Sequence, residues 1–293
     1  MKDKSGMAVP KALAILLGVW MASAGQAESA SPPVLRVCAD GDNLPMSNRN
    51  GEGYENRIAQ ALARDFGWRI EYTYFPQRMG FVRNTLRSRE PNTQQYKCDV
   101  IIGVPKGYEL TATTRPYMHS TYALVFPPHL PLKDLRTAQD LLKLPARTLR
   151  SLRTGVFGRS PGADWLLHNG MLGRAVMYAP QSGDPAENPQ LIVERDLVAG
   201  KADLAIVWGP IAGSLVRKHA SEGWLAVPFM REPHIKFDYE ISMGVRHPDQ
   251  EWKAKLDAWI DSHQTEVTAI LMDFQVPLID DGGMKLLSQD SGI

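Results

Sequence analysis

A five-residue motif, Gly158-Arg-Ser160-Pro-Gly162, has the residue types and spacing of a catalytic site. The pattern Gly-x-Ser-x-Gly marks the turn that exposes the nucleophilic serine of α/β-hydrolases, where the backbone N–H of the next residue helps to bind the oxyanion. Here the next residue is Pro161, which has no N–H to donate. We therefore predict that Ser160 opens a helix, whose N-terminus could receive an anionic group of a ligand, and that the protein is not an enzyme.

Two cysteines and seven histidines are the other side chains that could bind metals or form covalent bonds. The histidines lie at least ten residues apart, so no pair has the spacing of a helical metal site. We predict no metal and no cofactor. We predict a disulfide between Cys38 and Cys98, because an exported protein reaches an oxidising compartment, and two buried free thiols are the alternative.

The elements that must position such residues follow an α/β order. Apolar spacing predicts a strand over 35–40, a helix over Tyr54–Phe66 that ends at Gly67, a strand over Trp68–Phe75, a second short helix and a buried strand over 99–104. This alternation predicts a parallel sheet with helical crossovers. The same alternation restarts at Thr154, after a proline-rich connection.

Ligands of open α/β sheets bind beyond the carboxyl ends of the strands. This rule predicts a cleft formed by loops that begin near residues 40, 76, 105, 159 and 208. Single charges in such loops are also common on solvated surfaces, which is the alternative for Arg78 and Lys106. The candidate cleft residues are Asp40, Asn43, Pro45, Gln77, Arg78, Pro105, Lys106, Arg115, Ser160 and Trp208.

The N-terminus has the features of an export signal. Lysines precede the apolar run 12–22, and small residues follow as far as Ala27. This order predicts a signal peptide over 1–27, cleaved after Ala27, with Ala24 as the alternative, and a periplasmic protein. The run is about half of the ~20 apolar residues needed to span a bilayer. A formal net charge of +1 without a basic run argues against a nucleic-acid partner.

Several segments together resemble the two-lobed periplasmic solute-binding proteins of polar amino-acid transporters. These segments are strand 35–40, Gly53-Tyr-Glu55, Cys98-Asp-Val-Ile-Ile102, Thr114-Arg-Pro-Tyr117 and Ala199-Gly-Lys-Ala-Asp-Leu-Ala205. The resemblance implies a periplasmic binding protein-like type II fold, with two α/β lobes joined by two hinge strands near Tyr122–Phe126 and Ile241–Val245. Lobe 1 would comprise 28–124 and 243–293, and lobe 2 would comprise 125–242.

One departure from that superfamily bears on its ligand. Its amino-acid binders carry an Arg after the third strand that grips the ligand carboxylate in bidentate fashion. The corresponding stretch here, 105–110, has no Arg. The resemblance therefore implies the fold without implying an amino-acid ligand.

Nine motifs in order are similar to the MoxJ/MxaJ family, the J proteins of methanol oxidation. They are 35–40, Asn43-Leu-Pro45, 51–56, Phe75-Pro-Gln-Arg78, 80–86, Gly103-Val-Pro105, 113–117, Val207-Trp-Gly-Pro210 and 241–245. This resemblance implies a periplasmic accessory protein that helps to assemble or activate methanol dehydrogenase, whose cofactor is pyrroloquinoline quinone. The implied partners are the dehydrogenase subunits. The alternative function is that of a solute-binding receptor of an ABC importer.

Overall fold

The computed structural model describes residues 32–130, 132–180 and 187–287, so the predicted signal peptide lies outside the described part. The strands are β1 Val34–Ala39, β2 Asp42–Asn43, β3 Ser47–Asn48, β4 Arg69–Tyr74, β5 Val100–Pro105, β6 Ala112–Phe126, β7 Thr154–Phe157, β8 Val176–Tyr178, β9 Leu204–Trp208, β10 Leu225–Pro228 and β11 Asp238–Val245. The α-helices are α1 Tyr54–Phe66, α2 Phe81–Asn84, α3 Ala146–Ser151, α4 Pro161–His168, α5 Pro189–Val198, α6 Gly209–Lys218 and α7 Gln250–Asp273. No helix within these ranges has both the length and the hydropathy that a membrane crossing requires.

The first part of the chain forms the predicted strand–helix–strand arrangement. β1 lies between β4 and β5 and is parallel to both, with Val37 opposite Tyr72 on one side and Val100 on the other. Helix α1 has the predicted limits, and Gly67 ends it with a φ of 64°, a left-handed conformation that glycine adopts without steric cost. Local patterning therefore determines this part of the fold.

Two antiparallel strands connect the lobes. β11 pairs with both β5 and β6, and the far end of β6 pairs with β9 and β10. The fold is thus a two-lobed periplasmic binding protein-like α/β fold joined by two hinge strands. The sequence indicated a parallel sheet. The observed sheet is mixed, because both hinge strands are antiparallel to the strands beside them.

β6 is 15 residues long, whereas the sequence indicated a hinge strand only near its last five residues. Its first two thirds contain Thr113, Arg115 and His119 among apolar residues, so the apolar pattern is interrupted. Pairing with β11 stabilises this segment as a strand. A local sequence window does not contain that long-range partner.

The second lobe has the same arrangement as the first, with a central strand parallel to both of its neighbours. β7 lies between β8 and β9 and is parallel to both. One core cluster, which includes Trp165 and Phe229, covers one side of these strands, and another, which includes Leu197 and Leu215, covers the other. Strands that are apolar on both faces are typical of such parallel sheets.

The C-terminal helix packs on the first lobe. The sequence predicts two helices over Pro248–His263 and Thr265–Phe274, and α7 consists of two helical segments that meet at His263, whose φ is −120°. Leu256 and Ile260 of α7 share a core cluster with Leu35. The C-terminal segment is therefore part of the same hydrophobic core as the N-terminal strands. The lobe limits at 124/125 and 242/243 stay predictions.

Candidate functional site

An open cavity of about 290 Å³ lies between the first lobe and the hinge. Its walls come from the start of α1, the loop after β4, the end of β5 and the hinge strands. The lining residues are Met46, Tyr54, Glu55, Gln77, Gly103, Val104, Pro105, Tyr122, Trp208, Tyr239 and Ile241. This set contains no Lys, Arg or His and one carboxyl group, that of Glu55. Any charge that the lining carries near neutral pH is therefore negative.

Glu55 lies in the first turn of α1, and only 7% of it is exposed. The backbone N–H groups of Tyr54 and Glu55 donate to the carbonyl oxygens of Pro45 and Met46 at 2.9 Å. These bonds hold the start of the helix against the preceding loop. A Cβ atom at Gly103 would overlap Glu55 Oε1. Glycine at this position of β5 thus leaves the space that the carboxyl group occupies.

The environment of Glu55 favours its neutral form. Burial raises the pKa of its carboxyl from 4.5 to about 8, and the nearby charge of Asp40 adds to the shift. Within the described residues, neither oxygen of this carboxyl has a hydrogen-bonding partner. Burial also raises the pKa of the Tyr54 and Tyr117 hydroxyls well above 10.0, so both stay neutral. The Tyr117 hydroxyl is buried and lacks a partner among the described groups.

Gln77 connects the loops that border the cavity. Its backbone N–H donates to Asp40 Oδ2 at 2.6 Å, and its Nε2 atom donates to the Gly103 carbonyl oxygen at 3.4 Å. Its Oε1 atom accepts a hydrogen bond from Asn43 Nδ2 at 3.0 Å. The side chain is therefore held in one orientation beside Glu55.

Three aromatic rings form the hinge side of the cavity. Trp208 lies edge-on to Tyr122, with ring centroids 5.5 Å apart, and to Tyr239, at 5.9 Å. Tyr122 and Trp208 are directly opposite each other on the paired strands β6 and β9. Burial raises the pKa of the Tyr122 hydroxyl to about 12, with a smaller contribution from Tyr239. The wall is therefore aromatic and uncharged.

A second cavity, of about 110 Å³, lies between the lobes. Asp40, Asn43 and Gln77 line it from the first lobe, and Phe157 and Ile192 line it from the second. Gln77 lines both cavities, so the two meet at its side chain. Close by, Asn188 Nδ2 donates across the cleft to Asp42 Oδ1 at 3.5 Å.

Six of the predicted cleft residues line these two cavities. They come from four strand ends that the sheet brings to one side, as the rule for open α/β sheets requires. The six are Asp40, Asn43, Gln77, Arg78, Pro105 and Trp208.

The other four predicted cleft residues lie elsewhere. Pro45 accepts the hydrogen bond that begins α1, and Lys106 forms an exposed ion pair with Glu240 at 2.9 Å. Arg115 does not line either cavity, because it points to α7, where its guanidinium pairs with Asp261. Ser160 lies at the start of α4.

Ser160 caps its helix, as the sequence predicts. Its Oγ atom donates to the Phe157 carbonyl oxygen at 2.7 Å and accepts a hydrogen bond from the Ala163 N–H at 3.3 Å. A Cβ atom at Gly162 would come within 2.5 Å of Ile206 Cγ2. The glycine therefore serves close packing of helix on strand, and the motif is a capping turn.

Glu55, Tyr122 and Tyr239 are among the cavity residues that were not on the list of predicted cleft residues. An acidic residue in the first turn of a helix commonly faces solvent, where it stabilises the helix dipole. The sequence shows no sign that Glu55 is buried. Tyr122 and Tyr239 lie on hinge strands, and their position beside Trp208 depends on how those strands pair.

Cys38 and Cys98 form a disulfide, with Cα atoms 5.4 Å apart. Cys38 lies on β1, and Cys98 precedes the neighbouring strand β5. The spacing falls within the usual range for a bridge. Both cysteines are buried in one cluster with Phe81 and Leu86, so the bond lies beside the contact between α2 and the sheet.

One group of described residues brings three potential metal ligands within 4.8 Å of one another: Asp65, His263 and Glu266. Arg64 already pairs with both of these carboxylates, at 2.9 and 3.0 Å. His263 Nε2 lies 2.9 Å from Asp65 Oδ2. Both carboxylates thus already have a cationic partner within the chain, and the cluster joins α1 to the kink of α7.

The main cavity has the features of a binding site. It offers a carboxyl group, a fixed amide and an aromatic wall. Among the described residues, its lining contains no serine, cysteine, lysine or histidine, and Glu55 carries its one carboxyl group. Such a combination of a mostly apolar concave surface with a few oriented polar groups is typical of small-molecule sites.

No protein-family model matches the chain. The chain is similar to the periplasmic binding protein XoxJ from Methylobacterium extorquens AM1, at 32% identity over 84% of this chain and 100% of that one, with a TM-score of 0.66. It is 26% identical to protein MoxJ of Methylorubrum extorquens, over 88% of this chain and 86% of that protein. It is 28% identical to protein MoxJ of Paracoccus denitrificans, over 84% and 89% respectively.

Proposed function

Since this chain belongs to the MoxJ/MxaJ family of periplasmic binding proteins, we propose that it is a non-catalytic accessory protein of methanol oxidation in the periplasm. It assists the assembly or activation of a methanol dehydrogenase. The pyrroloquinoline quinone of that system belongs to the dehydrogenase, and this chain needs no cofactor of its own.

The observation that carries the proposal is the 32% identity to XoxJ over the whole of that protein. The local structure supports a non-catalytic role. The hydroxyl of Ser160 is used in the cap of α4, and the residue after it cannot donate to an oxyanion. Fold alone cannot decide function, so the role must be tested in the cell.

A deletion strain tests the accessory role. We expect cells that lack this protein to lose methanol dehydrogenase activity on methanol while the dehydrogenase polypeptides are still made. A plasmid copy should restore the activity, and so should a Ser160→Ala copy, because no catalytic serine is required. Full dehydrogenase activity in the deletion strain would contradict the proposal.

Affinity capture tests the partner. The protein, tagged at its C-terminus and expressed in its native host on methanol, should enrich dehydrogenase subunits from the periplasm. A periplasmic protein of unrelated fold with the same tag provides the control. Recovery of a membrane permease without the dehydrogenase would instead favour a solute-binding receptor of an ABC importer.

The second candidate function is that of a solute-binding receptor of an ABC importer. The observation in its favour is the cavity between the first lobe and the hinge, which presents Glu55 and three aromatic rings. A receptor role predicts that deletion abolishes uptake of one solute and leaves dehydrogenase activity unchanged. The two candidates therefore give opposite results in the same strain.

Export and lobe limits are part of the proposal. We expect the protein purified from the periplasm to begin at Glu28, which N-terminal sequencing would establish, since Ala27 ends the small-residue stretch.

The core clusters support lobe limits near 124/125 and 242/243, because residues 123–237 form two clusters apart from the one that contains Leu35 and Leu256.

A further inference from the structure

We propose that the cavity around Glu55 binds a small organic ammonium ion, held between the Glu55 carboxylate and the rings of Tyr122, Trp208 and Tyr239. This inference concerns a ligand and does not rest on the role in methanol oxidation. Failure of either would leave the other standing.

The first argument is the isolation of Glu55. Its side chain lines the cavity, yet the residue is 7% exposed and its carboxyl has no hydrogen-bonding partner among the described residues. Buried polar groups are normally paired, and an exception is a candidate for function. The glycine at position 103 preserves the space for this carboxyl. A ligand that donates to it or neutralises it would supply the missing partner.

The second argument is the charge of the lining. Of the described residues that line the cavity, none is basic. Asp40, which raises the pKa of Glu55, adds a further negative charge nearby. A ligand carboxylate would find no counter-charge among these residues, since the basic residue Arg78 lines only the adjoining cavity. A cation without a carboxylate is therefore the favoured charge type, and zwitterionic amino acids are disfavoured.

The third argument is the aromatic wall. The face of an indole or phenol ring attracts a cation within about 6 Å of its centroid. The Tyr239 ring already has the Lys236 ammonium group 5.0 Å from its centroid, on a residue that does not line this cavity. The lining of this cavity combines such aromatic rings, which attract substituted ammonium groups, with one carboxyl group.

The fourth argument is size. A volume of about 290 Å³ is at the lower end for ligand pockets, which range from about 300 to 1,000 Å³. The cavity therefore fits a compact ion of a few carbon atoms. Choline, tetramethylammonium and n-propylammonium represent that class.

Binding should release a proton. When the cavity is empty, the raised pKa of Glu55 keeps its carboxyl neutral near pH 7, and a bound cation favours the ionised form. Tyr54 on α1, Tyr72 on β4 and Tyr117 on β6 also face Glu55, and burial raises the pKa of each hydroxyl. These tyrosines stay neutral, and Asp40 supplies the negative charge from the loop after β1. Affinity should therefore rise with pH until about pH 8.

Titration calorimetry on the mature protein tests the proposal with the three ammonium ions. We expect at least one to saturate a single site. For choline, the neutral isostere 3,3-dimethylbutan-1-ol should bind about tenfold or more weakly, since it keeps the shape and lacks the charge. Glycine betaine, which adds a carboxylate, should also bind more weakly. The affinity for the ammonium ion should increase between pH 6.5 and 8.5, with a proton released at the lower pH.

Two variants separate the site from the fold. Glu55→Gln should weaken ammonium binding about tenfold and remove its pH dependence, because the amide cannot ionise. Glu71→Gln, at an exposed position on β4, should bind as the wild type does. Thermal unfolding of both variants checks that they are folded. Equal binding of choline and its isostere, wild-type affinity in Glu55→Gln, or no saturation by any of the three ions at tens of millimolar would overturn the proposal.

Discussion

Arg246, the residue after β11, donates from Nη2 to Asp99 Oδ1 at 2.8 Å, across 147 residues of sequence. Its Nη1 atom also donates to the carbonyl oxygen of Cys98 at 2.7 Å. Asp99 in turn pairs with Arg36 of β1 at 2.8 Å. One largely buried guanidinium thus joins the second hinge strand to the disulfide and to the first strand of the fold.

This arrangement predicts a large effect of removing Arg246. Arg246→Met should lower the free energy of unfolding by about 2–3 kcal/mol, because it leaves Asp99 with one cation and two carbonyl groups without a donor. Urea unfolding measures the change. Arg69→Ala removes an exposed pair with Glu71 and should cost less than about 1 kcal/mol. Equal effects of the two variants would contradict the prediction.

The disulfide should stabilise the protein through its unfolded state. Closing a loop of 60 residues corresponds to about 4 kcal/mol in the chain-entropy account. We expect a Cys38→Ala, Cys98→Ala double variant to unfold at a clearly lower urea concentration than the oxidised protein. The intact mass of the untreated protein should lie about two daltons below that of the reduced protein. Identical masses before and after reduction would show that no bond was present.

Glu55 should make stability depend on pH. Its pKa rises from 4.5 to about 8 on folding, so the folded state retains a proton that the unfolded state has lost between these values. The free energy of unfolding therefore falls as pH rises from 4.5 to about 8 and is then constant with respect to this group. A pKa unit corresponds to about 1.4 kcal/mol, so the total is a few kcal/mol.

Glu55→Gln isolates that contribution. The variant lacks the ionisable group, so it should be more stable than the wild type at pH 8, and the difference should shrink towards pH 4.5. Urea unfolding at four pH values between these limits would show the trend. A difference that does not change with pH would mean that the carboxyl titrates alike in both states.

His219 should affect the free energy of unfolding in a different pH range from Glu55. Burial lowers its pKa, but Glu222 and Glu194, each 2.8 Å from a ring nitrogen, more than offset this, so the net pKa is raised above 6.5. The resulting stabilisation is complete below the unfolded pKa of 6.5 and is lost as pH rises through the higher folded pKa.

His219→Phe keeps a ring to stack on Trp224 and removes the charge. We expect the stability difference between wild type and variant to decrease from pH 6 to pH 8, as measured by urea unfolding. An opposite trend for His219 would show that burial prevails over the two carboxylates.

Ser160 should contribute to the stability of the protein and should have no catalytic role. Ser160→Ala removes the cap of α4 and should lower the free energy of unfolding by about 1 kcal/mol. A fluorophosphonate probe should leave the wild-type protein unlabelled, which mass spectrometry of the intact chain would show. Labelling at Ser160 would contradict the reading of the motif as a cap.

The sequence by itself determined the elements whose stability is local. The limits of α1 and its end at Gly67 follow from apolar spacing and from a residue that tolerates a positive φ. The strand over Thr154–Phe157 and the cap at Ser160 follow from equally short windows. Six of the predicted cleft residues line the two cavities because parallel strands present their carboxyl ends on one side of a sheet.

Only the tertiary structure decided what depends on distant partners. The first part of β6 is a strand because β11 pairs with it, and Arg115 turns away from the cleft because α7 offers Asp261. Glu55 becomes a buried acid because Gly103, 48 positions later, leaves room for its carboxyl and the α1 helix holds it there. Burial and its effect on a pKa arise from groups brought together in space, and no local pattern of residues contains that information.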